Sequence, residues 1–131
     1  MDKFLSVKGF LLYGGIVLVI VGLLSYILPG GVLIAGAWQF DNTEGIVHIL
    51  LGVVAIAASY VLSGDLARYL VIAVGVVALL FGIYGFILSG PPPNTFGVAN
   101  LENPLDNILH LFVAAWALYA AFMGKPAMAK M

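Results

Sequence analysis

An all-α fold, a four-helix transmembrane bundle made of two parallel helical-hairpin repeats, is what this sequence predicts, and three observations predict it. The chain is 63% hydrophobic and 8% charged, whereas a soluble domain carries roughly 25% charged residues. Its apolar residues gather into four runs of the about 17–25 residues needed to cross a bilayer. The runs match in pairs, the first with the third and the second with the fourth, and the second pair holds the only two histidines.

The first span is Phe10–Leu28, preceded by a tail carrying Lys3 and Lys8. A cleaved signal peptide is the competing reading, because Ala35-Gly36-Ala37 fits a small-x-small cleavage pattern. A signal h-region is about 7–15 residues, and this run is longer, so retention is expected. The second span is Gly45–Leu62, with Glu44 just outside it. A tight connection, Ser63-Gly64-Asp65-Leu66-Ala67-Arg68, leads to the third span, Tyr69–Leu88. The fourth is Asn107–Met123, entered past Asp106 and followed by Lys125 and Lys130. No span contains Asp, Glu, Lys or Arg. Residues 1–131 thus read as a single transmembrane domain, with units of about 10–62 and 69–123.

Basic residues near span ends favour the cytoplasmic side. With both termini inside, Lys3, Lys8, Arg68, Lys125 and Lys130 are all cytoplasmic. The two outer loops, 29–44 and 89–106, contain no base and carry Asp41, Glu44, Glu102 and Asp106. Trp38 and Phe40 suit interfacial anchoring, and Pro91-Pro92-Pro93 reads as a stiff loop beside Phe96.

Spans 1 and 3 match at an offset of 60: Gly15 with Gly75, Gly22 with Gly82, Tyr26 with Phe86, Gly30 with Gly90. Spans 2 and 4 match at an offset of 62: Glu44 with Asp106, His48 with His110, Gly52 with Ala114, Tyr60 with Phe122. Two hairpins that start on the same side form a parallel repeat about an axis along the membrane normal. Small residues let helices approach where lipid supplies no hydrophobic drive. The stripes Gly15/Gly22 and Gly75/Gly82, with Gly52/Ala55/Ala58 and Ala114/Ala117/Ala121, are therefore packing surfaces.

The candidate functional residues are Glu44, His48, Asp106 and His110. Asp41 with Glu44, and Asn103 with Asp106, have N-cap and N3 spacing, with Pro104 at a first-turn position. Each histidine follows its acid by four residues, placing both on one helix face, about 6 Å apart along the axis. One reading is structural: a neutral histidine bonded to its own helix's acid or to a neighbouring helix, where Ser25 and Tyr84 lie at suitable depth. The other is a ligand site, since ionisable residues inside a span are commonly functional. Haem b between the histidines would have Gly52 and Ala114 making room, but no outer basic residue would meet its propionates. A divalent metal, zinc or copper, could take two histidines and two carboxylates. An ion path is not expected, because the inner halves offer chiefly Tyr13, Ser59, Tyr60 and Tyr119.

A charge of −1 without a basic patch argues against nucleic acid. Without cysteine there is no disulfide, thiol nucleophile or thiolate metal site. No phosphate-binding glycine loop, HExxH or Ser/His/Asp set is present, so no enzyme is expected. The expected partners are the lipid bilayer and other membrane proteins, with no cofactor under the structural reading. The leading function is a scaffold or accessory subunit; the alternative is a metal- or haem-binding protein using the His pair.

Three stretches carry a family resemblance: Gly45-Ile-Val-His48-Ile-Leu-Leu-Gly52-Val-Val-Ala55, Tyr69 through Gly85, and Asn94-x-Phe96 with Asn100 and Asp106-Asn107-x-Leu109-His110. The chain resembles a family of small four-span bacterial membrane proteins, domain of unknown function 4383. It departs from the family pattern at Glu44-Gly45 and at Ala114. The resemblance implies the four-span fold and a bacterial cytoplasmic membrane, and no activity.

Overall fold

The computed structural model describes residues 2–35, 38–39, 42–87 and 105–124. Asp41, Phe40, Asn103, Pro104 and the Pro91–Phe96 stretch lie outside them, as do Lys125 and Lys130. The elements are α1 (Asp2–Leu5), α2 (Val7–Ile27), β1 (Val32–Ile34), β2 (Trp38–Gln39), α3 (Asn42–Val61), α4 (Gly64–Ile87) and α5 (Leu105–Met123). Four of them, α2 to α5, are long and apolar enough to cross a membrane. A helix is the form such a run must take there, since lipid offers no partner to backbone N–H and C=O groups.

The helices start earlier than hydropathy alone places them. Ser6 stands at φ −88, ψ 163, and its Oγ accepts the Gly9 N–H at 2.9 Å, so α2 is capped at Ser6 rather than starting at Phe10. Residues Phe10–Gly14 form a π-helical turn within α2 that carries the buried Phe10 and Leu11. Pro29 ends α2 by holding Leu28 extended, at ψ 141. The chain then turns through Gly30 and Gly31, both at positive φ, into an antiparallel pairing of β1 with β2. This small ribbon lies in a stretch the sequence reads only as a connection.

The link between α3 and α4 is much tighter than the predicted six residues. Only Leu62 and Ser63 are outside helix, and Gly64 opens α4 at φ +57, a conformation a side chain would strain. Arg68 is therefore a helical residue. The molecule has a terminus end, holding α1 and the Leu62–Ser63 turn, and a loop end, where α3 and α5 begin.

Two antiparallel seams run between sequence neighbours. In the first, a Cβ on Gly15 would lie 2.8 Å from the Gly52 carbonyl oxygen, and one on Gly52 would lie 2.6 Å from that of Gly15. Farther along, a Cβ on Gly22 would lie 2.8 Å from the Gly45 carbonyl oxygen, so glycine faces glycine at two levels of α2–α3. In the α4–α5 seam, glycine faces side chains instead: Gly75 meets Leu118 and Ala117, Gly82 meets Leu111, and Gly85 meets Asn107. These seams follow from small residues admitting close backbone approach.

The core lies at the terminus end. Val7, Phe10 and Leu11 of α2 pack among Ala58 of α3, Ala67 and Val71 of α4, and Ala117, Ala120 and Ala121 of α5. Large side chains of the first span thus fill the space left by alanines of the last. Trp116 reinforces the join: its ring meets Phe10 edge-on at 4.9 Å, and its Nε1–H donates to the Phe4 carbonyl at 2.7 Å. Outward-facing residues such as Ile20, Leu50, Val54, Leu80 and Phe112 are at least half exposed. An apolar surface of that extent belongs against lipid rather than water.

Candidate functional site

At the loop end, α3 and α5 each present an acid in their first turn, Glu44 and Asp106. Both are buried, 7% and 4% exposed. Negative charge is favoured there by the unsatisfied N–H groups and the helix dipole. The sequence-predicted cap partners Asp41 and Asn103 lie outside the described residues.

One turn farther along, His48 Nδ1 lies 2.7 Å from the Glu44 carbonyl oxygen, and His110 Nδ1 lies 2.7 Å from that of Asp106. A carbonyl only accepts, so Nδ1 of each ring carries the proton and donates it. In a neutral ring bonded this way, Nε2 carries the lone pair. Each histidine thus bonds the backbone carbonyl of its acid, on its own helix. Ser25 Oγ donates to the Gly22 carbonyl at 2.6 Å, on its own helix. Tyr84 is half-buried on α4.

The four predicted residues divide two and two between α3 and α5, with both histidines half-buried. His48 is within electrostatic reach of His110 and Asp106. His110 also lies against Phe81, with ring centroids 5.7 Å apart; Val21 stands at the matching place in the first span, so the two histidines have different neighbours. Among the described residues, no three of His, Asp and Glu form a group that could hold a metal ion.

Sequence reasoning passed over Asn107 as a site residue. It is 0% exposed, in the α4–α5 seam near the loop end. Its signal was available: Asn107 matches Gly45 at the offset of 62, while Gly85 matches Ser25 at the offset of 60.

The terminus end holds a second set of polar contacts that sequence reasoning used only for orientation. Lys8 Nζ lies 5.2 Å from the centre of the Tyr60 ring, and the Arg68 guanidinium lies 5.2 Å from that of Phe122. Arg68 Nε–H also donates to the Ala121 carbonyl at 2.8 Å, meeting an acceptor that the end of α5 leaves open.

Residues 8–123 match the family described as Domain of unknown function (DUF4383). No curated protein and no solved structure matches the chain.

Proposed function

The chain belongs to the DUF4383 family, and on that premise we propose that it is a non-enzymatic scaffold or accessory subunit of a bacterial cytoplasmic membrane. The observation that carries this reading is the use made of the two histidines. Each donates its Nδ1 proton to a carbonyl one turn earlier in its own helix, at the same 2.7 Å. A bond of this kind satisfies the ring's polar group within its own helix, as a helix in lipid requires.

The same reading takes the chain as two parallel copies of one hairpin. Its support is the recurrence of burial at fixed offsets. Positions 7, 11, 15, 22 and 25 are buried in α2, and 67, 71, 75, 82 and 85 in α4. Positions 44, 45, 52, 58 and 59 are buried in α3, and 106, 107, 114, 120 and 121 in α5. Lys8 over Tyr60 and Arg68 over Phe122 recur at the same offsets. Both termini are assigned to the cytoplasm on the basic residues. Cysteines introduced at Trp38 and Thr95 should react with a membrane-impermeant thiol reagent in intact cells, and one at Gly64 should not. Labelling at Gly64 alone would reverse the orientation.

A second reading, a His-pair ligand site, rests on one observation. The Nδ1 bonds leave Nε2 as the coordinating type of nitrogen in both rings. Haem b or a divalent metal would be held by His48 and His110; Glu44 and Asp106 would join as further donors to a metal only after a rearrangement, since the four do not group here. Visible absorption and metal analysis of the detergent-purified chain decide between the two. The scaffold reading expects no Soret band and no stoichiometric metal, and either would overturn it.

A further inference from the structure

We propose that Arg68 forms a binding site for the phosphate group of an anionic phospholipid at the terminus end of the bundle. The proposal rests on the membrane-spanning reading above. Arg68 is held in place on two sides: Nε–H is bonded to the Ala121 carbonyl, and the guanidinium carbon lies 5.2 Å from the centre of the Phe122 ring. Among the described residues, nothing else bonds it. The two terminal nitrogens therefore keep their donors in the fork geometry that matches phosphate oxygens in pairs.

The surroundings fix the depth of this fork. Phe122 under it is 59% exposed, and Leu66 and Tyr69 in the same stretch of α4 are 67% and 60% exposed. Side chains of this kind in such numbers belong at the boundary between acyl chains and headgroups, where aromatic residues collect. A cation at that depth meets lipid phosphate before it meets bulk water. Asp65, one turn earlier, is exposed and forms no ion pair with Arg68 among the described residues. Fixing the guanidinium beforehand also lowers the ordering cost of binding. Lys8 occupies the matching place over Tyr60, but an ammonium is a point charge without the fork.

The test uses the full chain, purified in a neutral detergent. It is titrated with dioleoyl phosphatidylglycerol or dioleoyl phosphatidylcholine, and lipid occupancy is read by native mass spectrometry. One basic residue near a membrane surface makes about a five-fold difference in affinity. The wild-type chain should prefer phosphatidylglycerol by about that factor, and Arg68→Gln should lose the preference, with Arg68→Lys in between. If Arg68→Gln fails to fold, the wild-type chain still decides: raised salt should weaken phosphatidylglycerol and leave phosphatidylcholine unchanged. Equal affinity for the two lipids, a preference kept in Arg68→Gln, or a preference indifferent to salt would each overturn the site. Inorganic phosphate at millimolar concentration should not displace the lipid; displacement would make this a soluble-anion site and overturn the lipid assignment. Because the titration is done in detergent, it is independent of orientation, and a reversed labelling pattern at Gly64 would leave the lipid preference standing.

Discussion

Asn107 occupies the space that the missing side chain of Gly85 leaves in the α4–α5 seam; a Cβ on Gly85 would overlap the Asn107 carboxamide. In the α2–α3 seam the sizes are exchanged: a Cβ on Gly45 would lie 2.6 Å from Ser25 Oγ. Each seam thus places one small polar side chain against one glycine near the loop end, from opposite helices.

This exchange predicts a rescue. Gly85→Ser should overpack the seam and cost about 1–3 kcal/mol, or more. Combining it with Asn107→Gly transfers the Ser25/Gly45 arrangement to the second seam and should recover most of the loss. Unfolding titrations in mixed detergent of both single variants and the double variant would measure the coupling. Additive losses would show that the two positions do not share one space.

The glycine-on-glycine seam predicts a contrast between near neighbours. Gly52→Ala places a methyl 2.6 Å from the Gly15 carbonyl oxygen and 2.6 Å from Val19 Cγ2. It should force α2 and α3 apart and cost about 1–3 kcal/mol. At Gly14 the nearest atom to such a methyl is Trp116 Cζ3, at 3.7 Å, an ordinary contact. Gly14→Ala should therefore stay within about 0.5 kcal/mol of wild type in the same titration.

Each histidine makes one Nδ1 bond to the backbone. A buried side-chain bond in a membrane bundle contributes roughly 0.6 kcal/mol on average. His48→Phe and His110→Phe should each cost about that much and leave the metal content of the purified protein as it was. Stoichiometric metal or a Soret band in the parent, lost in both single variants, would instead support the ligand reading.

Trp116 ties α1 to α5 through its bond to the Phe4 carbonyl. Trp116→Phe keeps a ring against Phe10 and removes the donor. A single such bond contributes about 1 kcal/mol net. The variant should open the N-terminal segment: amide exchange in residues 3–5 should quicken while the rest of the bundle keeps its protection. Unchanged exchange there would mean that Phe4–Tyr13 ring packing, at 4.6 Å between centroids, holds the segment without the bond.

Much of this was legible along the chain. Sequence alone determined the four spans, their pairing into hairpins by small-residue stripes, and the placing of each histidine one turn beyond a first-turn acid. These are properties of a single helix or of local composition: a run's length against the bilayer, and the 3.6-residue period that puts positions four apart on one face. Tertiary structure alone decided which surfaces fit together: Asn107 into Gly85, Phe10 and Leu11 among the alanines of α5, Arg68 onto the Ala121 carbonyl and the Phe122 ring. The bond from each histidine to the carbonyl of its acid residue belongs with the local features, because Nδ1 of a helical histidine reaches back one turn to that atom. Apolar letters in a membrane span all carry much the same transfer energy, so hydropathy says that a helix crosses the bilayer and nothing about which residue it meets. That choice is made by shape, by a missing side chain on one helix and a present one on the next, and shape complementarity exists only once both helices are in place.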